Sequence, residues 1–169
     1  LDVSHCPELQ TLECWGNQLQ RLDVAHCPKL QELDCCLNQL KSLDVSDCPA
    51  LQELNCGGNQ LQRLDVAHCP KLQELDCGWN QLQSLDVSQC PELQVLLCDN
   101  NQLQSLDVSH CPELRELECQ DNQMSDSAMI ALVESLPMNP ERSGRRIRMD
   151  KNLPAAESWA QLKEWEVMD

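Results

Sequence analysis

The sequence has no phenylalanine and no tyrosine, and only four tryptophans in 169 residues. An ordinary globular core draws much of its bulk from aromatic side chains, so any core here must be assembled from Leu, Val and Cys. Basic residues are scarce too: 12 Lys and Arg stand against 28 Asp and Glu, for a formal net charge of -16. The deficit is local, because residues 1–126 hold 21 acidic and 6 basic side chains whereas residues 127–169 hold 7 and 6. Such a field disfavours nucleic acid and anionic membrane surfaces, and leaves basic partners, cations or plain solubility as its uses. Long apolar runs are missing, so nothing reads as a membrane span, and there is no signal peptide. The first residue is a Leu inside a repeat, with no N-terminal cap before it. We therefore expect a longer protein upstream.

What the chain does have is repetition. Six units of 21 residues begin at Leu1, Leu22, Leu43, Leu64, Leu85 and Leu106, each opening L-D-V. Within each lies L-x-x-L-x-C-x-x-N-x-L, first at Leu9, Leu12, Cys14, Asn17 and Leu19. The apolar spacing fits neither a helix nor continuous alternation. It predicts two short extended segments per turn of a coil, such as Leu12–Cys14 and Leu22–Val24, separated by bends. One such unit cannot bury its own apolar face, and stacking supplies what it lacks.

Cysteine is abundant, yet the pattern argues against a disulfide framework. Twelve of the 13 fall in two columns, one running from Cys6 to Cys111 and the other from Cys14 to Cys119, and only Cys36 is out of register. A repeat column puts equivalent residues in equivalent surroundings, so these read as buried thiols acting as small hydrophobes. An odd total leaves at least one unpaired.

With these residues the chain resembles the leucine-rich repeat family. The motif's bend Asn is present in every unit, at Asn17, Asn38, Asn59, Asn80, Asn101 and Asn122. Cys in place of the third Leu, with the 21-residue length, resembles the bacterial cysteine-ladder type found in internalin J-like and Bacteroidetes surface proteins. The resemblance implies a right-handed α/β repeat solenoid with a concave parallel sheet, its strands centred on Leu12, Leu33, Leu54, Leu75, Leu96 and Leu117. The convex L-D-V segments should be short extended or bridge-like pieces, since the Pro after each first-column Cys discourages helix.

At Ser125 the period stops. Met129, Ile130, Leu132, Val133 and Leu136 form a helical stripe, with Ser125 or Asp126 as cap and Pro137 as terminator. Residues 138–144 read as a loop, Arg145–Met149 as a strand, Pro154–Lys163 as a helix with Trp159 and Leu162 inward, and Glu166–Met168 as a returning strand. The expected organisation is six repeats over 1–126 and a capping segment of helix, strand and helix over 125–169.

Function must come from the variable positions. Alternation sends the residues flanking each strand Leu outward. One column reads Thr11, Glu32, Glu53, Glu74, Val95, Glu116 and the other Glu13, Asp34, Asn55, Asp76, Leu97, Glu118. The predicted contact residues are the eight carboxylates among these, the interruption at Val95 and Leu97, and the nearby Trp15 and Trp79, whose indoles suit an interface anchor. A solvated acidic face, a face for a basic protein or peptide, and a cation site stay open, as does burial of both Trp rings against neighbouring turns.

The His column (His5, His26, His68, His110) alternates with inward Cys and lacks zinc spacing, so no metal and no cofactor is expected. The Asp column from Asp2 to Asp107 suits hydrogen bonding to bend N–H groups. Arg142, Arg145, Arg146 and Arg148 form the only basic cluster, read as a solvated edge or a head-to-tail contact with another molecule. No nucleophile elbow, phosphate loop or H-E-x-x-H occurs, and Cys36 has no base partner in the sequence, so an enzyme is not expected. The expected function is a non-catalytic module binding a protein, basic if the concave face is used, with a glycan as the lesser choice. It would be extracellular or displayed on a bacterial surface. The alternative is a substrate-recognition arm of an intracellular effector whose catalytic domain lies elsewhere.

Overall fold

A computed structural model describes residues 1, 3, 5–138, 144–150 and 165–168. Each repeat contributes one three-residue strand: β1 (Thr11–Glu13), β2 (Glu32–Asp34), β3 (Glu53–Asn55), β4 (Glu74–Asp76), β5 (Val95–Leu97) and β6 (Glu116–Glu118). Strands this short persist because every one pairs in parallel with the next turn, with Leu12, Leu33, Leu54, Leu75, Leu96 and Leu117 in register. A slip of one residue would carry those leucines to solvent and the carboxylates into the core, so the register is strongly specified.

Around the rest of the coil the backbone is satisfied in two ways. Ladder bonds continue past the strand, as from Cys35 N–H to Asn55 O at 2.8 Å and from Gln39 N–H to Leu19 O at 2.9 Å. On the convex side two successive tight turns recur, as from Cys48 N–H to Val45 O at 3.0 Å and from Leu51 N–H to Cys48 O at 3.1 Å. These turns follow the L-D-V pieces, which are short and non-helical as expected. Apart from an isolated bridge at Asp23, the segments make no second ladder among the described residues. The N–H groups of the Cys and the following Leu are spent locally, and Pro has none to offer.

The bend Asn is the polar spine of the coil. Asn80 Nδ2 donates to Cys56 O, Cys77 O and Gly78 O at 3.0–3.2 Å, while its Oδ1 accepts from Leu61 N–H at 2.9 Å. From Asn38 onward each such Asn therefore joins its own bend to the preceding turn. Both Cys columns face inward, and Cys27 and Cys35 with their later equivalents are fully buried, whereas Cys6 is exposed. All 13 thiols are free. In the first column the S–H reaches the Val carbonyl of the turn before, as from Cys48 to Val24 O at 3.6 Å.

The sheet outlasts the repeat. Helix α1 (Asp126–Ser135) starts at Ser125, whose Oγ accepts from Ala128 N–H at 3.2 Å, and it buries Met129, Leu132 and Val133. Ser135 Oγ accepts from Val108 N–H at 3.1 Å, tying the helix to the sixth turn. Strands β7 (Arg146–Arg148) and β8 (Glu166–Val167) then add in parallel, making an eight-stranded sheet in chain order. The strand expected over Arg145–Met149 is shorter by one residue at each end, and Arg145 just before it turns inward. Its Nη1 donates to Pro137 O at 2.7 Å, and its guanidinium lies 5.7 Å from the centre of the buried Trp165 ring. The helix expected over 154–163, with Trp159 and Leu162, and most of the 138–144 loop lie outside the described residues.

Candidate functional site

The outward residues of β1–β5 line a shallow depression of about 340 Å³ on the concave face. Parallel register places Glu32, Glu53 and Glu74 on three adjacent strands. Burial and the flanking Glu74 and Glu32 push the Glu53 carboxyl up from its ordinary value. In the other column Asp34, Asn55 and Asp76 are also adjacent, and each accepts from the N–H two residues on, at Cys36, Gly57 and Gly78. That local turn fixes the side chain without neutralising it. Asp76 is half-buried, and desolvation, aided by Asp99, Asp34 and Glu118, raises its carboxyl despite the Gly78 N–H. Thr11 Oγ1 donates to Glu32 Oε2 at 3.3 Å, and Glu13 is exposed at the β1 edge.

The predicted basic cluster belongs to this face, which the sequence reading missed. Arg146 and Arg148 occupy the register positions next to Glu116 and Glu118. Arg146 Nη2 lies 2.8 Å from Glu116 Oε2, and Arg148 Nη1 lies 2.8 Å from both oxygens of Glu118. These two arginines pair within the chain while staying partly exposed, at 49% and 36%. Arg145 is buried, and Arg142 lies outside the described residues. The available sign was spacing: alternate Arg residues in a predicted strand directly after an alternating Glu strand. Among the described residues no ion pair reaches Glu32, Asp34, Glu53, Glu74 or Asp76. The face is thus neutralised at the cap end and uncompensated in the middle.

Val95 and Leu97 sit half-buried on β5 and line the concave depression, in register with Glu74 and Asp76. Trp15 and Trp79 are both exposed, at 56% and 66%, so neither lies flat and covered on a neighbouring turn. The structure leaves Trp79 outside the lining of that depression. It places Trp79 on the edge just beyond the strands, in a notch of about 350 Å³ shared with Cys36, Leu37, Asn55, Gly57, Gly58, Asp76 and Gly78. Leu37 was not predicted, though its column shows why it is unusual. The position before each bend Asn is left-handed, with φ of 66° at Gly16, 53° at Leu37, 63° at Gly58 and 55° at Trp79. Leu and Trp are the residues least suited to that backbone, and both are exposed there. Trp15 lies one position earlier in its repeat and lines neither depression.

The remaining columns are structural in geometry. Asp23, Asp44, Asp65, Asp86 and Asp107 each accept from the N–H two residues on at 2.8–3.1 Å. For Asp44, Asp86 and Asp107 the bonded Ser backbone holds the carboxyl below its usual value. Asp2 lies outside the described residues. The four His are exposed beside inward Cys. Burial, reinforced by Asp34, pushes the Cys36 thiol up to about 12, which makes it a poor nucleophile at neutral pH.

Residues 7–48 and 49–90 each match the family model described as Leucine Rich repeats (2 copies). Among solved structures, the chain is 30% identical to the functional domain of InlJ from Listeria monocytogenes, which includes a cysteine ladder, over 89% of this chain and 36% of that one, with a TM-score of 0.58. The internalin inlF of the same organism superposes with a TM-score of 0.82 at 20% identity, covering 99% of this chain and 50% of that one. A leucine-rich repeat protein of Leptospira interrogans gives 0.76 at 21%, with the same coverage of 99% and 50%. The chain thus spans half or less of the length of these three. A comparison with curated proteins finds no match.

Proposed function

Because the chain belongs to the leucine-rich repeat family, we propose that it is a non-catalytic protein-interaction module that takes a basic protein or peptide on its concave face. The observation that carries this reading is the contrast within one sheet. Glu116 and Glu118 are each answered by an arginine on β7, while Glu32, Glu53, Glu74 and Asp76, in the same two columns, have no such counterpart among the described residues. Two carboxylates one strand apart, at ~5 Å, repel by roughly 0.8 kcal/mol even in water, and a partner's cations would remove that repulsion on binding. In this reading residues 1–126 carry the contact surface, Val95 and Leu97 supply its apolar centre, and residues 125–169 close the open end of the stack. Likeness to the functional domain of InlJ, with its cysteine ladder, supports the cysteine-ladder type expected above and with it a protein displayed on a bacterial surface or secreted.

The test is titration calorimetry with an acetylated hexalysine amide against the wild type and the variant Glu32→Lys, Glu53→Lys, Glu74→Lys. Saturable, salt-sensitive binding that disappears in the variant is expected. A wild-type chain that shows no saturable binding, or a variant that binds as well, would return the acidic face to a solubilising role.

A further inference from the structure

The edge notch is built differently from the acidic face beside it. Its floor is bare because Gly57, Gly58 and Gly78 carry no side chains, and a Cβ would crowd the neighbouring side-chain tips, at 2.8 Å from Leu37 Cδ2 for Gly58 and at 2.7 Å from Asp99 Oδ1 for Gly78. Its walls are Leu37 and Trp79, exposed at 62% and 66% and held in a left-handed backbone that glycine occupies in neighbouring repeats. Nothing in the packing of the coil requires a large apolar side chain at either position. At its concave end stands Asp76, whose Oδ1 takes the Gly78 N–H at 3.0 Å and whose Oδ2 has no hydrogen-bond partner among the described residues.

At about 350 Å³ the space lies near the lower end of ligand pockets. It suits one long side chain, not a folded element. An apolar occupant would desolvate Asp76 without compensating its charge. A lysine ammonium is a compact, strongly hydrated charge that cannot lie flat on an indole. A guanidinium can stack on Trp79 and hydrogen-bond a carboxylate at the same time. The chain itself shows both halves of that recognition: Arg145 over Trp165 at 5.7 Å, and Arg148 on Glu118, a carboxylate in the same register column as Asp76.

We propose that the Leu37–Trp79 notch seats one arginine side chain of a basic partner segment, its stem over Gly57 and Gly58 between the apolar walls and its guanidinium against Asp76. The rest of that segment runs onto the Glu32–Glu53–Glu74 column, so the seat rests on the protein-binding reading above and gives it a preference for arginine over lysine.

Two probes of equal charge test it, an acetylated hexaarginine amide and an acetylated hexalysine amide, titrated calorimetrically at about 150 mM salt. The wild type should bind hexaarginine about tenfold more tightly than hexalysine. Trp79→Ala and Leu37→Ala should each weaken hexaarginine binding about tenfold relative to hexalysine and so erase that preference. Both side chains are exposed, so the variants should keep the wild-type melting temperature. In amide-resolved spectra of the wild type, the Gly57, Gly58 and Gly78 resonances should move with hexaarginine and not with hexalysine. Equal affinity for the two probes, or a preference that survives both substitutions, overturns the arginine seat and leaves the acidic face standing. Failure of both probes to bind overturns the acidic-face reading and the seat with it.

Discussion

Arg148 Nη1 lies 2.8 Å from both carboxylate oxygens of Glu118, its register neighbour across β6 and β7. The Glu118 side chain is only 17% exposed, so its charge depends on that partner more than a surface carboxylate would. Arg148→Ala should therefore lower stability by about 1 kcal/mol, the upper end for a partly exposed pair. It should also leave Glu118 uncompensated, two strands from Asp76 across Leu97, and strengthen hexalysine binding. Urea denaturation and the same titration check both effects. Wild-type values for both would mean that the pair is incidental.

The bend asparagines make a sharper stability prediction. Asn80 holds three carbonyls with its Nδ2 and one N–H with its Oδ1, across two turns, while only 8% exposed. Asn80→Ala should cost about 3–5 kcal/mol, because it strands several buried backbone groups at roughly 1 kcal/mol or more each. Asn17→Ala should cost far less, since Asn17 is exposed and bonds only Cys14 O and Trp15 O. Urea midpoints of the two variants decide it, and equal losses would contradict the role of the cross-turn bonds.

The cysteine columns predict an alkaline limit. Burial, reinforced by neighbouring thiols, raises Cys35 and Cys48 from 9.0 to about 12, and Cys69 to about 11. In the unfolded chain these thiols ionise near their ordinary value, so above that pH the unfolded state binds fewer protons than the folded one. Stability is then fully present below pH ~9 and falls as pH rises, by about 1.4 kcal/mol per unit for each thiol that only the unfolded chain ionises. Urea midpoints should fall steeply between pH 8.5 and 10.5. At neutral pH a thiol reagent should modify Cys6 quickly in the native protein and all 13 cysteines after denaturation.

The constant positions were legible in the sequence because repetition gives one motif six independent statements. Strand centres, inward Cys columns, the Asn spine and the Ser125 cap all follow from local pattern and appear where expected. What the period could not convey lies where the period fails. Arg146 and Arg148 have no repeat equivalent, and only the register of β7 on β6 shows that they complete the Glu columns. Leu37 and Trp79 stand two repeats apart and line one notch, with the Gly57–Gly58 turn, bare of side chains, between them. Trp79 was visible as a departure, whereas Leu37, which lines the same notch, was not singled out.

Leu37 and Trp79 also define a trade between stability and recognition that can be measured directly. A non-glycine residue in the left-handed region is disfavoured by roughly 1–2 kcal/mol, and replacing it with glycine relieves that strain less the cost of a more flexible unfolded chain. Because both side chains are exposed, their removal opens no cavity. Leu37→Gly and Trp79→Gly should therefore each stabilise the fold by about 0.5–1 kcal/mol, matching the glycine already present at Gly16 and Gly58. The same variants should lose the preference for hexaarginine. If they instead destabilise the protein, the two side chains pack the coil and the notch is a by-product of folding. A gain in stability joined to a loss of arginine preference would show residues retained against the interest of the fold, at the place where the partner is bound.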